Sequence, residues 1–258
     1  MLLHHRPTKT VITGKSGSGK TTYFQRLIEN GFASYWPTVL IYDWQGEMSL
    51  RLNRPSVIRS EDFPAELRNG ILIYDPNIEF EGNLETGLNF FAKWCFETCK
   101  CEDAPPYPRL FCCDEIQLLL DNDNMPPEIQ TILQTGRRWG LDMAIVSQQI
   151  NELHNRFRSQ STERVTFQHE DTYVLSVMNK WGFDPEQVKV LDVGQYLYNN
   201  DRGETGSGKL FGVDKGQQKP EVEGVRQHCQ AGGSGPKNPP TGNADAKPDN
   251  DNAPDEQS

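Results

Sequence analysis

An α/β fold with a central, mostly parallel sheet is what this 258-residue sequence predicts. Three observations lead there. Short apolar or β-branched runs recur at 10–13, 38–43, 71–75, 109–114, 143–148 and 164–168, each ending on a polar residue. Stretches with helical patterning lie between most of them, at 19–30, 84–101, 126–138 and 171–181. The first run leads straight into a glycine-rich window, Gly14-Lys15-Ser16-Gly17-Ser18-Gly19-Lys20-Thr21, which opens the first helix. Near-continuous apolar strands alternating with helices indicate a parallel sheet covered on both faces. Functional groups then gather at the carboxyl ends of the strands.

The run at 10–13 and its glycine window match G-x-x-x-x-G-K-[ST] in the strand–loop–helix setting that pattern requires. The glycines let successive backbone N–H groups face one point, and the helix start adds a partial positive charge there. A triphosphate is the natural guest, ATP with Mg²⁺. Its expected contacts are Gly14, Lys15, Ser16, Gly17, Ser18, Gly19, Lys20, Thr21 and Thr22. Lys20 reaches the β- and γ-phosphates, and the Thr21 hydroxyl holds Mg²⁺.

Three later strands end in aspartate, so the carboxylate that completes the metal site must be chosen. Asp43 is followed by Trp-Gln-Gly and Asp75 by Pro-Asn, whereas Asp114 is followed directly by Glu115. An adjacent pair divides the labour: Asp114 holds Mg²⁺ through water, and Glu115 polarises the attacking water. Asp75 suits a charged strand end entering a loop. The pair also speaks against a signalling GTPase or a simple small-molecule kinase, which need no adjacent glutamate base.

The helix at 84–101 carries Cys95 and Cys99 on one face. Together with Cys101 they resemble a metal cluster, but no second pair matches them, so core thiols are expected. The six cysteines and the N-terminus, which lacks an apolar signal region, imply a reducing compartment. No apolar run approaches a membrane span.

The strand at 143–148 ends Ser147-Gln148-Gln149; Gln148 is either an ordinary polar strand end or an amide beside the γ-phosphate that reports hydrolysis, a catalytic role. The turn before it, Gly136-Arg137-Arg138-Trp139-Gly140, offers two arginines. They are either surface charge or groups that act on the nucleotide of a neighbouring subunit. Arg156 and Arg158, after Gln148, are candidate DNA contacts or a solvated loop.

Two look-alikes are set aside. Asn179-Lys180-Trp181-Gly182 lacks the final Asp of a GTPase base-recognition motif. Gly203-Glu-Thr-Gly206-Ser-Gly208-Lys209-Leu210 nearly repeats the phosphate loop but ends on Leu and is followed by no helix. It is read as a glycine-rich turn between strands at 195–199 and 209–213.

From residue 215 the chain turns to Gly, Pro, Asn and Asp, with few large apolar residues. Such a segment cannot bury enough surface to offset its ordering entropy. The expected organisation is a folded ATPase domain at 1–214 and a disordered acidic tail at 215–258. Net charge is −10; five basic and seven acidic residues in the tail account for two of those negative charges. An acidic surface argues against general coating of nucleic acid. It leaves room for DNA contact through a few basic loops, as in a ring whose lumen alone touches the duplex.

The set GKSGSGKT (14–21), IYDWQGE (41–47), LFCCDE (110–115), GRRWGLDMAIVSQQ (136–149) and STERVTFQHED (161–171) resembles the FtsK/HerA superfamily of DNA-pumping ATPases. More narrowly, it is similar to the genome-packaging ATPases of membrane-containing icosahedral viruses such as the tectiviruses. The resemblance spans residues 8–213. It implies a RecA-like P-loop fold of the ASCE type with strand order 5-1-4-3-2, in which the Gln148 strand lies between the phosphate-loop strand and the Asp114 strand. It maps the superfamily's trans-acting arginine to Arg137 and its sensor glutamine to Gln148. Members usually carry Arg-Pro after that glutamine; Gln149-Ile150 stands here.

The resemblance implies an ATP-driven double-stranded DNA translocase that forms a ring, expected to be a hexamer. Its partners are then DNA and portal or packaging-vertex proteins, with or without a membrane anchor. Its places are the virion and the host cytoplasm. A soluble HerA-like translocase or helicase is the alternative, and a P-loop small-molecule kinase is the alternative from another class.

Overall fold

Four- to seven-residue, mostly apolar segments build the frame of the computed structural model, which describes residues 8–64, 69–100, 107–120 and 125–211. Six parallel strands come first: β1 (Lys9–Thr13), β2 (Thr38–Tyr42), β3 (Gly70–Tyr74), β4 (Arg109–Cys113), β5 (Leu141–Ser147) and β6 (Glu163–Thr166). An antiparallel hairpin, β7 (Gln195–Asn200) and β8 (Thr205–Lys209), extends the sheet. β2, β4 and β5 are buried along their whole length, which explains why they read as near-continuous apolar runs; the buried Arg109 and Asp142 are the charged exceptions.

Alternate residues of each strand face opposite layers. Val11, Leu40, Phe111, Cys113, Met143 and Ile145 meet α3 (Leu84–Lys100), α4 (Pro127–Thr135) and α6 (Thr172–Lys180). Ile12, Val39, Ile41, Leu110, Cys112, Ala144 and Val146 meet Phe24, Leu27 and Ile28 of α1 (Lys20–Ser34). The result is an α/β three-layer domain, as the sequence predicts. Cys95 and Cys99 lie on the buried face of α3, and Cys112 and Cys113 are core residues of β4; none of the four is in a disulfide. Cys101 and Cys229 lie outside the described residues, as does the 215–258 tail.

The strand order is β3-β2-β4-β5-β1-β6-β7-β8. The expected order, 5-1-4-3-2, differs in detail. Its five strands are the inner set β6-β1-β5-β4-β2, with β5 between β1 and β4. The sheet continues past β2 into β3, which pairs in parallel register from Thr38 opposite Gly70 to Tyr42 opposite Tyr74. Beyond β6 it continues into the hairpin.

The hairpin corrects one expectation. The glycine-rich segment is itself the strand β8, and the turn is 201–204. Its glycines make room for rings: a Cβ on Gly206 would lie 2.6 Å from Tyr198, and one on Gly208 would lie 2.3 Å from the Tyr196 hydroxyl. Three short helices carry too few turns to show a period: α2 (Glu47–Leu52), α5 (Asn155–Gln160) and α7 (Pro185–Lys189). Side-chain caps start two of them. His154 accepts from Arg156 N–H, and Asp184 accepts from Glu186 N–H.

Candidate nucleotide-binding and catalytic site

The carboxyl ends of β1, β4, β5 and β6 converge on the glycine loop. Thr13, the last residue of β1, is in register with Ser147 on one side and Thr166 on the other. The loop leaves β1 against β6: Lys15 N–H donates to Gln168 O at 2.9 Å. Gly14 is forced by this approach, because a Cβ there would lie 2.5 Å from the Phe167 Cβ. Gly19 takes φ +112°, a backbone that L side chains rarely adopt, and delivers the chain into α1.

α1 begins with no side-chain cap and no acid in its first turn. Its first N–H groups are thus left for an anion rather than satisfied locally. The Ser18 hydroxyl is buried and, among the described residues, has no hydrogen-bond partner. Both facts fit a phosphate guest in the loop.

Lys20 is buried, and its ammonium donates back across the loop to Lys15 O at 3.2 Å. It also stands 3.9 Å from Glu115 Oε1. Burial lowers its pKa, opposed by the charges of Glu115, Asp114 and Glu47.

Asp114 follows β4 directly and is 7% exposed. Burial, then the neighbouring Glu115 charge, lifts its pKa to about 7. Two adjacent carboxylates, Asp114 buried and Glu115 part-buried, with one lysine make a site short of positive charge. Carboxylate and hydroxyl oxygens are the donors that Mg²⁺ accepts. Asp114 and Thr21 therefore fit that ion.

Glu115 adopts a left-handed backbone, φ 47°, which turns its carboxylate back over the strand end. Its N–H donates to Asp114 Oδ1 at 2.8 Å. Its Oε2 accepts from the Gln148 backbone N–H at 2.9 Å and from Gln117 Nε2 at 2.6 Å. Gln148 thus meets Glu115 through its main chain.

The other aspartates are occupied. Asp43 receives Met48 N–H and Ser49 N–H at 3.0 and 2.8 Å, fixing the start of α2. Asp75 receives the Asn77 N–H and amide at 3.0 and 2.7 Å, closing its own loop.

Three participants have no place in the sequence reading. Glu47, at the head of α2, contributes charge to both Lys20 and Asp114; its signal was the Gly-Glu end of the 41–47 motif. Buried His169 Nε2 pairs with Thr13 Oγ1 at 3.2 Å, and burial followed by the Lys20 charge lowers its pKa to about 4. The imidazole is neutral at ordinary pH and supports the loop from behind. Gln117 is the third.

Other predicted residues lie elsewhere. Arg137 and Arg138 are exposed in a 3-10 turn, Gly136–Trp139, at the amino end of β5. The phosphate loop is at the other end of that seven-residue strand, roughly 20 Å away. Neither arginine is brought to this chain's own site. Lys15 is drawn outward to Glu170 at 2.6 Å. Arg156 and Arg158 lie half-buried on α5, beyond the carboxyl end of β5.

A strand–glycine loop–helix unit, with a carboxylate pair on the strand next but one, defines a RecA-like P-loop nucleoside triphosphatase fold. Neither a protein-family model nor a curated protein matches the sequence. Solved structures do. The genome-packaging NTPase B204 of Sulfolobus turreted icosahedral virus 2, in complex with AMP, is 16% identical with a TM-score of 0.60, covering 79% of this chain and 97% of that one. The DNA-packaging ATPase B204 of Sulfolobus turreted icosahedral virus is 18% identical with a TM-score of 0.56, over 81% and 100% of the two chains. VirB4 of Thermoanaerobacter pseudethanolicus is 9% identical with a TM-score of 0.58, over 80% and 90%. The P-loop α/β fold that the sequence predicts is therefore the fold of this chain. No helix among the described residues is long and apolar enough to cross a membrane.

Proposed function

We propose that this protein is an Mg²⁺-dependent ATPase that drives double-stranded DNA, and that it serves as the genome-packaging motor of a virus. The observation that carries the ATPase reading is the facing of Lys20 and Glu115 across the glycine loop, 3.9 Å apart. The loop N–H groups and Lys20 hold the triphosphate. Thr21 and Asp114 would hold Mg²⁺, which would supply positive charge to the triphosphate when bound. Glu115 Oε1 takes a proton from the attacking water as its oxygen bonds to the γ-phosphorus and the bond to the β-phosphate oxygen breaks. Gln148, whose N–H holds Glu115, sits where it senses that change.

The end-to-end separation of Arg137 from this chain's loop supports a ring, taken here as a hexamer, in which Arg137 serves a neighbour's ATP. Support for DNA as cargo comes from the motif set and from the shared fold with the packaging NTPases. Packaging further implies portal or packaging-vertex partners and a place in the virion. The comparable likeness to VirB4 favours, as a second reading, a cellular or plasmid translocase.

The test is phosphate release with and without duplex DNA. Activity stimulated by DNA and abolished by Lys20→Ala supports the reading. ATP turnover indifferent to DNA, with phosphate passed to a small acceptor, overturns it in favour of a kinase. A double-jelly-roll capsid gene beside this one separates packaging from the cellular alternative.

A further inference from the structure

The 3-10 turn Ile116–Leu118 follows the left-handed Glu115 and folds straight back on it, with Leu118 N–H donating to Glu115 O at 3.0 Å. This return brings Gln117 onto the carboxylate. Its side chain is 7% exposed, and Nε2 lies 2.6 Å from Glu115 Oε2. The other end of the same amide, Oε1, is buried and has no partner among the described residues. A buried acceptor left unpaired costs stability. An amide kept for packing alone would be better replaced by an apolar side chain of the same length. What the amide supplies is one N–H, to one carboxylate oxygen.

With Gln148 N–H on the same oxygen at 2.9 Å, Glu115 is held at Oε2 by two donors from different elements. Two fixed donors on one oxygen set both the position and the plane of the carboxylate. Oε1 is then the oxygen on the Lys20 side, at 3.9 Å.

We propose that Gln117 is a positioning residue for hydrolysis: it anchors Glu115 Oε2 so that Oε1 is presented to the attacking water. This rests on Glu115 acting as the base in the reading above. Gln117 touches neither nucleotide nor metal in this scheme; its effect runs through Glu115. A group that places a base alters the rate at which bound ATP reacts, not the strength with which ATP binds.

The experiment uses the full chain and compares Gln117→Met, which keeps the length and loses the donor, with Gln117→Asn, which withdraws the amide by one methylene. Gln117→Met should lower kcat about 10- to 100-fold with KM for ATP within about twofold of wild type, and Gln117→Asn should fall between. Adding Gln117→Met to Glu115→Gln should leave the residual single-turnover rate where Glu115→Gln alone puts it, because the group it positions is already gone. A kcat for both variants equal to or above wild type overturns the inference. So does an equal loss in the Glu115→Gln background, or a rise in KM that accounts for the whole loss in kcat/KM. If wild type turns over no ATP, the ATPase reading fails and takes this inference with it. If wild type is active and Gln117→Met matches it, the inference alone fails.

Discussion

Glu115→Gln separates binding from chemistry at this site, and its geometry shows why the substitution is clean. Glu115 Oε2 receives two N–H donors, at 2.6 and 2.9 Å. A glutamine carbonyl can take that place unchanged. The new NH₂ then occupies the Oε1 position, 3.9 Å from Lys20 Nζ. Both anchoring bonds survive, so the fold should melt within a few degrees of wild type. What goes is a proton acceptor and one negative charge. Losing general-base assistance is worth about 10²- to 10⁴-fold in rate. The lost attraction to Lys20, about 4 kcal/mol at an effective dielectric of 20, had competed with phosphate for the ammonium. Asp114 and Glu47 still face Lys20, so only part of that is released. ATP should bind as tightly as to wild type or up to about tenfold tighter, an affinity change of about 1.4 kcal/mol. Steady-state phosphate release gives the rate, and equilibrium titration with a fluorescent ATP analogue gives the affinity. Wild-type turnover would refute the reasoning, since Glu115 would not then be the base. So would loss of binding, since the carboxylate would then be holding the loop together.

Three further outcomes are expected. Arg137→Ala subunits should be slow alone and regain activity when mixed with Lys20→Ala subunits, because a mixed ring sets an intact arginine beside an intact loop; rings that form without rescue point to Arg138. Glu163 is 5% exposed, and burial with the charges of Glu204 and Asp201 lifts its pKa to about 7. The native state therefore prefers it protonated: its contribution is fully present below about pH 4.5 and is lost as pH rises through 7, up to about 3 kcal/mol. Urea unfolding should show wild type losing that much more stability than Glu163→Gln between pH 4.5 and 8, and a constant difference between the two would count against it. His169 runs the other way in an overlapping window, lost as pH falls from 6.5 toward 4, and is common to both proteins. A chain ending at Asp214 should melt and hydrolyse ATP as the full chain does, since the sequence beyond offers little to pack; a drop of many degrees in differential scanning would move the domain boundary.

The frame was legible because buried parallel strands cannot hide. β2 and β4 are covered on both faces, so after Thr38 and Arg109 at their starts every position is apolar or aromatic and the run stands out without a period. β8 was illegible for the opposite reason. Its glycines are chosen by Tyr196 and Tyr198 on the next strand, and nothing within 205–209 itself announces a strand. α2 was missed because Asp43 fixes its start from outside, and six residues hold too few turns to show an amphipathic stripe. At the site, the residues with a local signature were found in the sequence, and the structure gathers Gly14 to Thr21, Asp114, Glu115 and Gln148 at one end of the sheet. Those that matter through contact were not. His169 meets Thr13 across 156 positions, and Gln117 depends on a left-handed turn that no residue type between 114 and 117 advertises.

That left-handed turn has a consequence for how the protein can change. Glutamate at φ 47° sits in a conformation that glycine adopts freely and glutamate does not. Glu115→Gly or Glu115→Asn would relieve strain on the order of 1 kcal/mol, but either would leave the Gln148 N–H and the Gln117 amide without their shared acceptor, at about 1–3 kcal/mol for each. The same step would remove the carboxylate from the mouth of the loop. The side chain thus anchors the very turn that its backbone strains, and descendants bred for heat resistance without demand for turnover should keep an acceptor of that length at position 115, with glutamine as the replacement that preserves both bonds.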